Sequence, residues 1–268
     1  MRFNVRCSAL ALALTLLPIG AGEVSGQTPD RLQITDSIQR LLHSGSLSGD
    51  RDGITRARAL AERVLVVFPD DPLLLYYQGE AHYRLATLLF GEDAEAAATN
   101  LELAEELLSR SAELRPMAEA HALLSSVIGM QIGANPLKGM IQGPKASREL
   151  ERALELAPEN PRVWLIKGSS AANTPKLFGG GTERALENLE RAIQLFEQDD
   201  PMPPLPRWGH AEAYAWMGQA HVAMREYGKA RDAYATALQV APEYGWVKYH
   251  LLPALERVQR REEDGPPP

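Results

Sequence analysis

Two stretches of this 268-residue chain repeat themselves at nearly equal spacing. Lys145-Ala146, Ala153-Leu154 and Ala157-Pro158-Glu159 recur as Lys229-Ala230, Ala237-Leu238 and Ala241-Pro242-Glu243, an offset of 84 residues throughout. Independently, Leu89-Phe90-Gly91, Glu95, Ala97, Asn100-Leu101-Glu102, Ala104 and Leu107 recur as Leu177-Phe178-Gly179, Glu183, Ala185, Asn188-Leu189-Glu190, Ala192 and Leu195, an offset of 88. Agreement at so many positions makes each offset two structural units, of roughly 42 to 44 residues each. A unit of that size cannot bury its own apolar face, so the chain must fold as a stack of similar units.

The segment 211–244 displays one unit most clearly. Tyr214, Met217, Gly218 and His221 fall on one helical face. Arg225 to Gly228 turns the chain, and Ala230, Tyr234, Ala237 and Leu238 form a second face. Pro242 cannot continue a helix and closes the unit. The small residues have a geometric reason: Gly218 facing Ala230 lets the two axes approach, and Ala237 admits the next unit's first helix. This pattern resembles the tetratricopeptide (TPR) repeat, two antiparallel helices in about 34 residues. The resemblance implies an all-α, TPR-like α-solenoid, a right-handed superhelix of about five helix-turn-helix units. The expected helix pairs are 31–43 with 55–68, 72–88 with 94–114, 117–132 with 146–157, 161–172 with 183–198, and 211–224 with 227–241. A last helix over 246–261 is expected to cover the open end.

The repeat domain is thus expected over 27–261, with a disordered tail over 262–268. At the front, Arg2 and Arg6 precede an apolar run over 9–19 and then Gly20, Ala21 and Gly22, the pattern of a signal peptide ending by residue 26. That places the chain in the periplasm or another extracytoplasmic space. The run is short for a membrane span, and an uncleaved anchor or a buried first helix is the alternative. Cys7, the one cysteine, sits in the charged region with no Leu-Ala-Gly type sequence before it, so lipoprotein anchoring is not expected. After cleavage no cysteine remains, and stability must come from packing.

Units two, three and four carry insertions between their helices, at 89–93, 133–145 and 173–182. In a stacked array these turns emerge along one edge, so elaborated loops there suggest a functional rim. The fourth-unit loop is the most specific, with Pro175, Phe178, Gly179, Gly180 and Gly181. Pro175 fixes one torsion, Phe178 offers an apolar anchor, and the glycines permit positive φ. The glycine spacing matches no phosphate motif, which favours a tight anchored turn with Thr182 capping the next helix over an anion cradle. The run Pro175-Lys176-Leu177-Phe178-Gly179-Gly180-Gly181, leading into Ala185-Leu186-Glu187-Asn188-Leu189-Glu190-Arg191-Ala192-Ile193, resembles the TatT family of periplasmic TPR subunits associated with TRAP-type transporters. The resemblance implies association with a periplasmic solute-binding protein, and trimers around an apolar channel. The lipoprotein cysteine of some members is missing here.

First helices of such arrays line a concave face. The residues expected on it are Leu73, Tyr76, Tyr77, Tyr83, Leu123, Met130, Leu165, Ile166 and Trp216, mostly apolar or aromatic. A carboxylate clamp of Lys, Arg and Asn is not apparent, although Arg84 and Asn173 are isolated candidates. An apolar groove suits a small hydrophobic ligand or an amphipathic partner helix. The alternative is that these side chains are simply core.

No catalytic constellation is visible. The six histidines, His43, His82, His121, His210, His221 and His250, lack ligand spacing, and Ser125-Ser126 and Ser169-Ser170 lie mid-helix. No metal or cofactor is expected. The net charge of −7 argues against nucleic acid as a partner. The chain therefore reads as a binding protein, not an enzyme: an extracytoplasmic adaptor for a partner protein or hydrophobic ligand, with a general envelope-assembly scaffold as the alternative.

Overall fold

The computed structural model describes residues 30–263; the signal-peptide reading, Cys7 and residues 264–268 of the expected tail lie outside it. Its helices run in order as α1 (Arg31–Ser48), α2 (Arg51–Leu65), α3 (Pro72–Leu89), α4 (Ala94–Leu114), α5 (Ala118–Ala134), α6 (Gly139–Leu156), α7 (Pro161–Asn173), α8 (Thr182–Phe196), α9 (His210–Ala223), α10 (Tyr227–Val240) and α11 (Leu252–Glu263). No strand occurs among the described residues. Consecutive helices pair as α1·α2, α3·α4, α5·α6, α7·α8 and α9·α10, and each pair stacks on the next. A wider π-helical turn, Val247–Leu251, leads into α11. The fold is the expected TPR-like solenoid of five helix pairs and a terminal helix.

Local chemistry explains the helix starts. Asp71 accepts hydrogen bonds from the N–H groups of Leu73 and Leu74, and Pro72 opens α3 where its missing donor costs nothing. Asn160 and Pro161 do the same for α7, and Asp93 caps α4 through the Ala96 N–H. Three expected boundaries differ. α1 continues past residue 43 until Gly49, whose left-handed φ of 74° ends it. α2 starts at Arg51, so the first pair has a tight turn. The 133–145 insertion is mostly helical: a 3₁₀ turn, Pro136–Lys138, runs into α6, which passes through Pro144. Pro144 leaves the Met140 carbonyl without its helical donor, at an end of α6 where Met140 is 93% exposed. Thr182 is the first residue of α8 and not its cap, which is Gly181 at φ 114°.

Small residues set the spacing within pairs. A Cβ on Gly79 would lie 2.8 Å from Leu108 Cγ, and one on Gly168 would lie 2.6 Å from Leu189 Cγ. At Gly218 the neighbour is the Tyr234 ring, not Ala230 as the periodicity suggested, and a Cβ would enter the ring's van der Waals envelope. Ala is normally the better helix former by about 0.8–1 kcal/mol. Here the sign inverts: Gly218→Ala is expected to cost about 1–3 kcal/mol through overpacking. Gly129, in α5 with open space around its Cβ position, is the control and should gain up to about 1 kcal/mol as Ala. Parallel urea melts of the two variants check this; equal signs would contradict it.

The array also curls back on itself. Leu47 of α1 packs in one apolar cluster with Ala211, Tyr244 and Val247 of the last unit, and Gly245 lies against the Ser48 carbonyl. The two ends of the solenoid therefore meet across its concave side.

Candidate binding surfaces

The concave face is filled. Tyr76, Tyr77, Leu123, Leu165 and Ile166 are at most 4% exposed and belong to the main core. Leu73, Tyr83, Met130 and Trp216 are partly buried and pack against that same core. What fills the face is the connector over 197–209, which crosses it as a strap between α8 and α9. Trp208 is buried, and its indole N–H donates to the Tyr76 hydroxyl at 2.8 Å. The Tyr77 hydroxyl donates to the Pro204 carbonyl. At the strap's start, Asp199 accepts two hydrogen bonds from the buried Arg162, at 2.6 and 3.2 Å.

Beneath Trp208 lies one arginine shared by two carboxylates. Arg84 contacts Glu80 at 3.4 Å and Glu212 at 3.1 Å, and its guanidinium lies 5.2 Å from the Trp208 ring centroid. One guanidinium can compensate one carboxylate. Burial pushes the Glu80 carboxyl up to about 7, with the Arg84 charge opposing that shift and Glu212 adding to it. The folded state thus holds a proton that the unfolded chain gives up near the ordinary value of 4.5. The resulting stability is complete below that ordinary value and is lost as pH rises through about 7. The thermal midpoint should therefore climb as pH falls from 8 to 5, and Glu80→Gln should flatten that slope. An unchanged slope in the variant would show that Glu80 is not responsible.

Arg84, singled out from the sequence, is thus inside the groove. Asn173 is not part of a clamp: its amide donates to the Ser169 carbonyl at 2.8 Å on its own helix. The histidines hold structure. His82 bonds Asn100 at 2.8 Å, His121 meets Glu149 at 2.7 Å, and His221 meets Glu226 at 2.7 Å. Burial lowers the basicity of His43, His82 and His210. Among the described residues no group of three or more His, Cys, Asp or Glu is placed to hold a metal. No described helix is long and apolar enough to cross a membrane. Two clefts stand out, of about 190 Å³ beside Arg162, Asp199 and His210 and about 330 Å³ beside Asp93, Glu95 and Asn100. Neither is walled by any of the nine concave-face residues.

The opposite situation holds at the turns. Leu177 is 86% and Phe178 75% exposed, while Leu137, Met140 and Ile141 on the turn of the preceding unit are 89%, 93% and 82% exposed. Phe178 is therefore not an internal anchor. The fourth-unit loop is held by its backbone instead: Gly180 N–H donates to Pro175, Gly181 N–H to Ala171, and Arg184 reaches the Gly179 carbonyl. These N–H groups are spent inside the loop, so no phosphate cradle is formed. Gly179 and Gly181 take φ of 87° and 114°, Gly180 packs against Thr174, and Pro175 is exposed. Leu137, Met140 and Ile141 were not legible as surface residues, because their Gly/Pro-punctuated segment reads as loop without revealing which side chains face water. The strap was also missed, although its signal was present: a proline-rich connector, 197–209, where the corresponding links are 115–117 and 157–160.

Two segments match tetratricopeptide-repeat family models, residues 49–107 and 211–244. Among solved structures, the chain is similar to the HusA haemophore from Porphyromonas gingivalis, with 25% identity over 74% of this chain and 96% of that one, at a TM-score of 0.63. It also shares its fold with a thermophilic TPR protein from Thermus thermophilus, at 21% identity over 82% and 98% of the two chains and a TM-score of 0.56. No curated protein matches the sequence.

Proposed function

We propose that this chain, which has a TPR-like fold and two segments that match tetratricopeptide-repeat models, works as a scaffold that binds a partner protein through its exposed turn rim. One observation carries this: five large apolar side chains, Leu137, Met140, Ile141, Leu177 and Phe178, stand 75–93% exposed on the turns of two successive units. An apolar set of this kind, carried on a rigid array, marks an interaction surface. The concave face, already filled by the strap, offers no comparable free surface. Lys145 and Lys176 near this set are already paired with Glu105 and Glu183, so the surface fits a partner that presents an apolar patch.

The location is extracytoplasmic in this reading, supported by the charged-then-apolar start of the sequence. The resemblance of the 175–193 segment to the TatT family supports a periplasmic solute-binding protein of a TRAP-type transporter as the partner. A second reading, supported by the likeness to a haemophore, places a flat apolar ligand such as haem on the same rim.

The test is co-purification with a solute-binding protein, using the intact chain and a variant carrying Leu137→Ser, Met140→Ser, Ile141→Ser and Phe178→Ser. Exposed positions contribute within about 0.5 kcal/mol to stability, so the variant should melt like the parent while losing at least about 100-fold in affinity, since central apolar contacts dominate such interfaces. Undiminished binding by the variant would overturn the rim assignment. An absorbance titration with haem decides the second reading.

A further inference from the structure

We propose that the groove floored by Tyr76, Tyr77 and Arg84 is a recognition site for an extended, proline-rich peptide segment bearing a tryptophan, and that the strap is its built-in competitor. The strap itself shows what the floor recognises. Past a turn closed by the Leu205 N–H on the Met202 carbonyl, Pro206 and Trp208 are buried while Leu205 and Arg207 are exposed, the alternation of a short extended segment with one face inward. The floor supplies a hydroxyl acceptor for the indole N–H, a hydroxyl donor for a backbone carbonyl and a guanidinium face for the aromatic ring. These are contacts to a backbone and to one aromatic side chain, which any peptide of that pattern reproduces.

Two features make the strap displaceable. First, it is longer than stacking requires: units three and four are joined by 157–160, and units two and three by 115–117, whereas the strap uses 197–209. The slack lets it leave the groove without drawing α8 from α9. Second, side chains hold it and backbone pairing does not. Among the described residues, the one backbone–backbone hydrogen bond within 201–208 runs from the Leu205 N–H to the Met202 carbonyl, inside the strap. Segments held in this way open at lower cost than the helices beneath them. An external segment then competes with an internal one whose effective concentration is in the millimolar range, so the intact protein binds weakly and an opened one strongly.

The probe is a fluorescein-labelled synthetic peptide spanning Asp199–Gly209, followed by anisotropy against the full chain. Trp208→Ala, which removes the strap's anchor and leaves the floor intact, should bind the peptide at least about 10-fold more tightly than the parent. Tyr77→Phe added to that variant should reduce the affinity again. Helical circular dichroism is recorded alongside; should Trp208→Ala lose its helices, a Gly-Ser spacer inserted after Met202 opens the strap with every strap residue retained, and the same gain is expected. A folded, opened protein that binds the peptide no better than the parent overturns the proposal. The rim variant described above should keep the parent's peptide affinity, so the two sites fail separately.

Discussion

Trp208→Ala is expected to lower the unfolding free energy by about 3–5 kcal/mol, the range for deleting a large aromatic from a packed core. Trp208 is 3% exposed, so its transfer contribution is nearly complete. Two further losses add to it. The Tyr76 hydroxyl, fully buried, loses its indole donor, and an unsatisfied buried polar group costs about 1–3 kcal/mol. Arg84 loses the ring face it lies against, a contact worth roughly 0.5–2 kcal/mol. Trp208→Phe keeps most of the apolar area and should fall between the parent and the alanine variant. Urea denaturation at constant m-value measures both. A loss below about 1 kcal/mol for Trp208→Ala would mean that the strap does not pack as a core element.

The second large effect lies at the strap's other end. Arg162→Ala should cost about 3–5 kcal/mol, because it leaves Asp199 without its charge partner in a partly buried position. Arg162 is 2% exposed at the side chain and Asp199 18%, and the ring of Phe196 lies 5.7 Å from the guanidinium. The charge pair itself is not intrinsically stabilising, since both ions were taken out of water to form it. The double variant Arg162→Met with Asp199→Asn should therefore recover most of the loss. A double-mutant cycle on the parent, Arg162→Met, Asp199→Asn and their combination reads the coupling directly. Strict additivity would show that Arg162 acts through packing alone.

Both positions bear on what was readable in advance. The helical pairs, their order and their punctuation were legible, because periodic apolar positions, Asp71-Pro72 and Asn160-Pro161 starts, and Gly79, Gly168 and Gly218 at the helix contacts are local signals. The positions of the elaborated turns were legible too, but the role of Phe178 was not, since it reads as a loop anchor and stands 75% exposed. The state of the concave residues was not. Tyr76, Tyr77 and Leu123 have the same helical spacing whether they line an open groove or lie under a cover, and periodicity cannot separate the two.

What decided between these states is a connector far away in sequence. Trp208 meets Tyr76 across 132 residues, a contact that no local pattern encodes and that exists only because successive units rotate until the chain closes on itself. In the same way Gly/Pro spacing marked 133–145 as irregular, while the neighbouring helices let α6 run through Pro144 and push Leu137, Met140 and Ile141 into water. The sequence by itself therefore determined the repeating unit, its helices and the edge where its turns emerge, since each is written in contacts within a unit or between neighbours. Only the tertiary structure decided which apolar surface is covered and which is exposed, because covering a surface depends on long-range closure of the whole array.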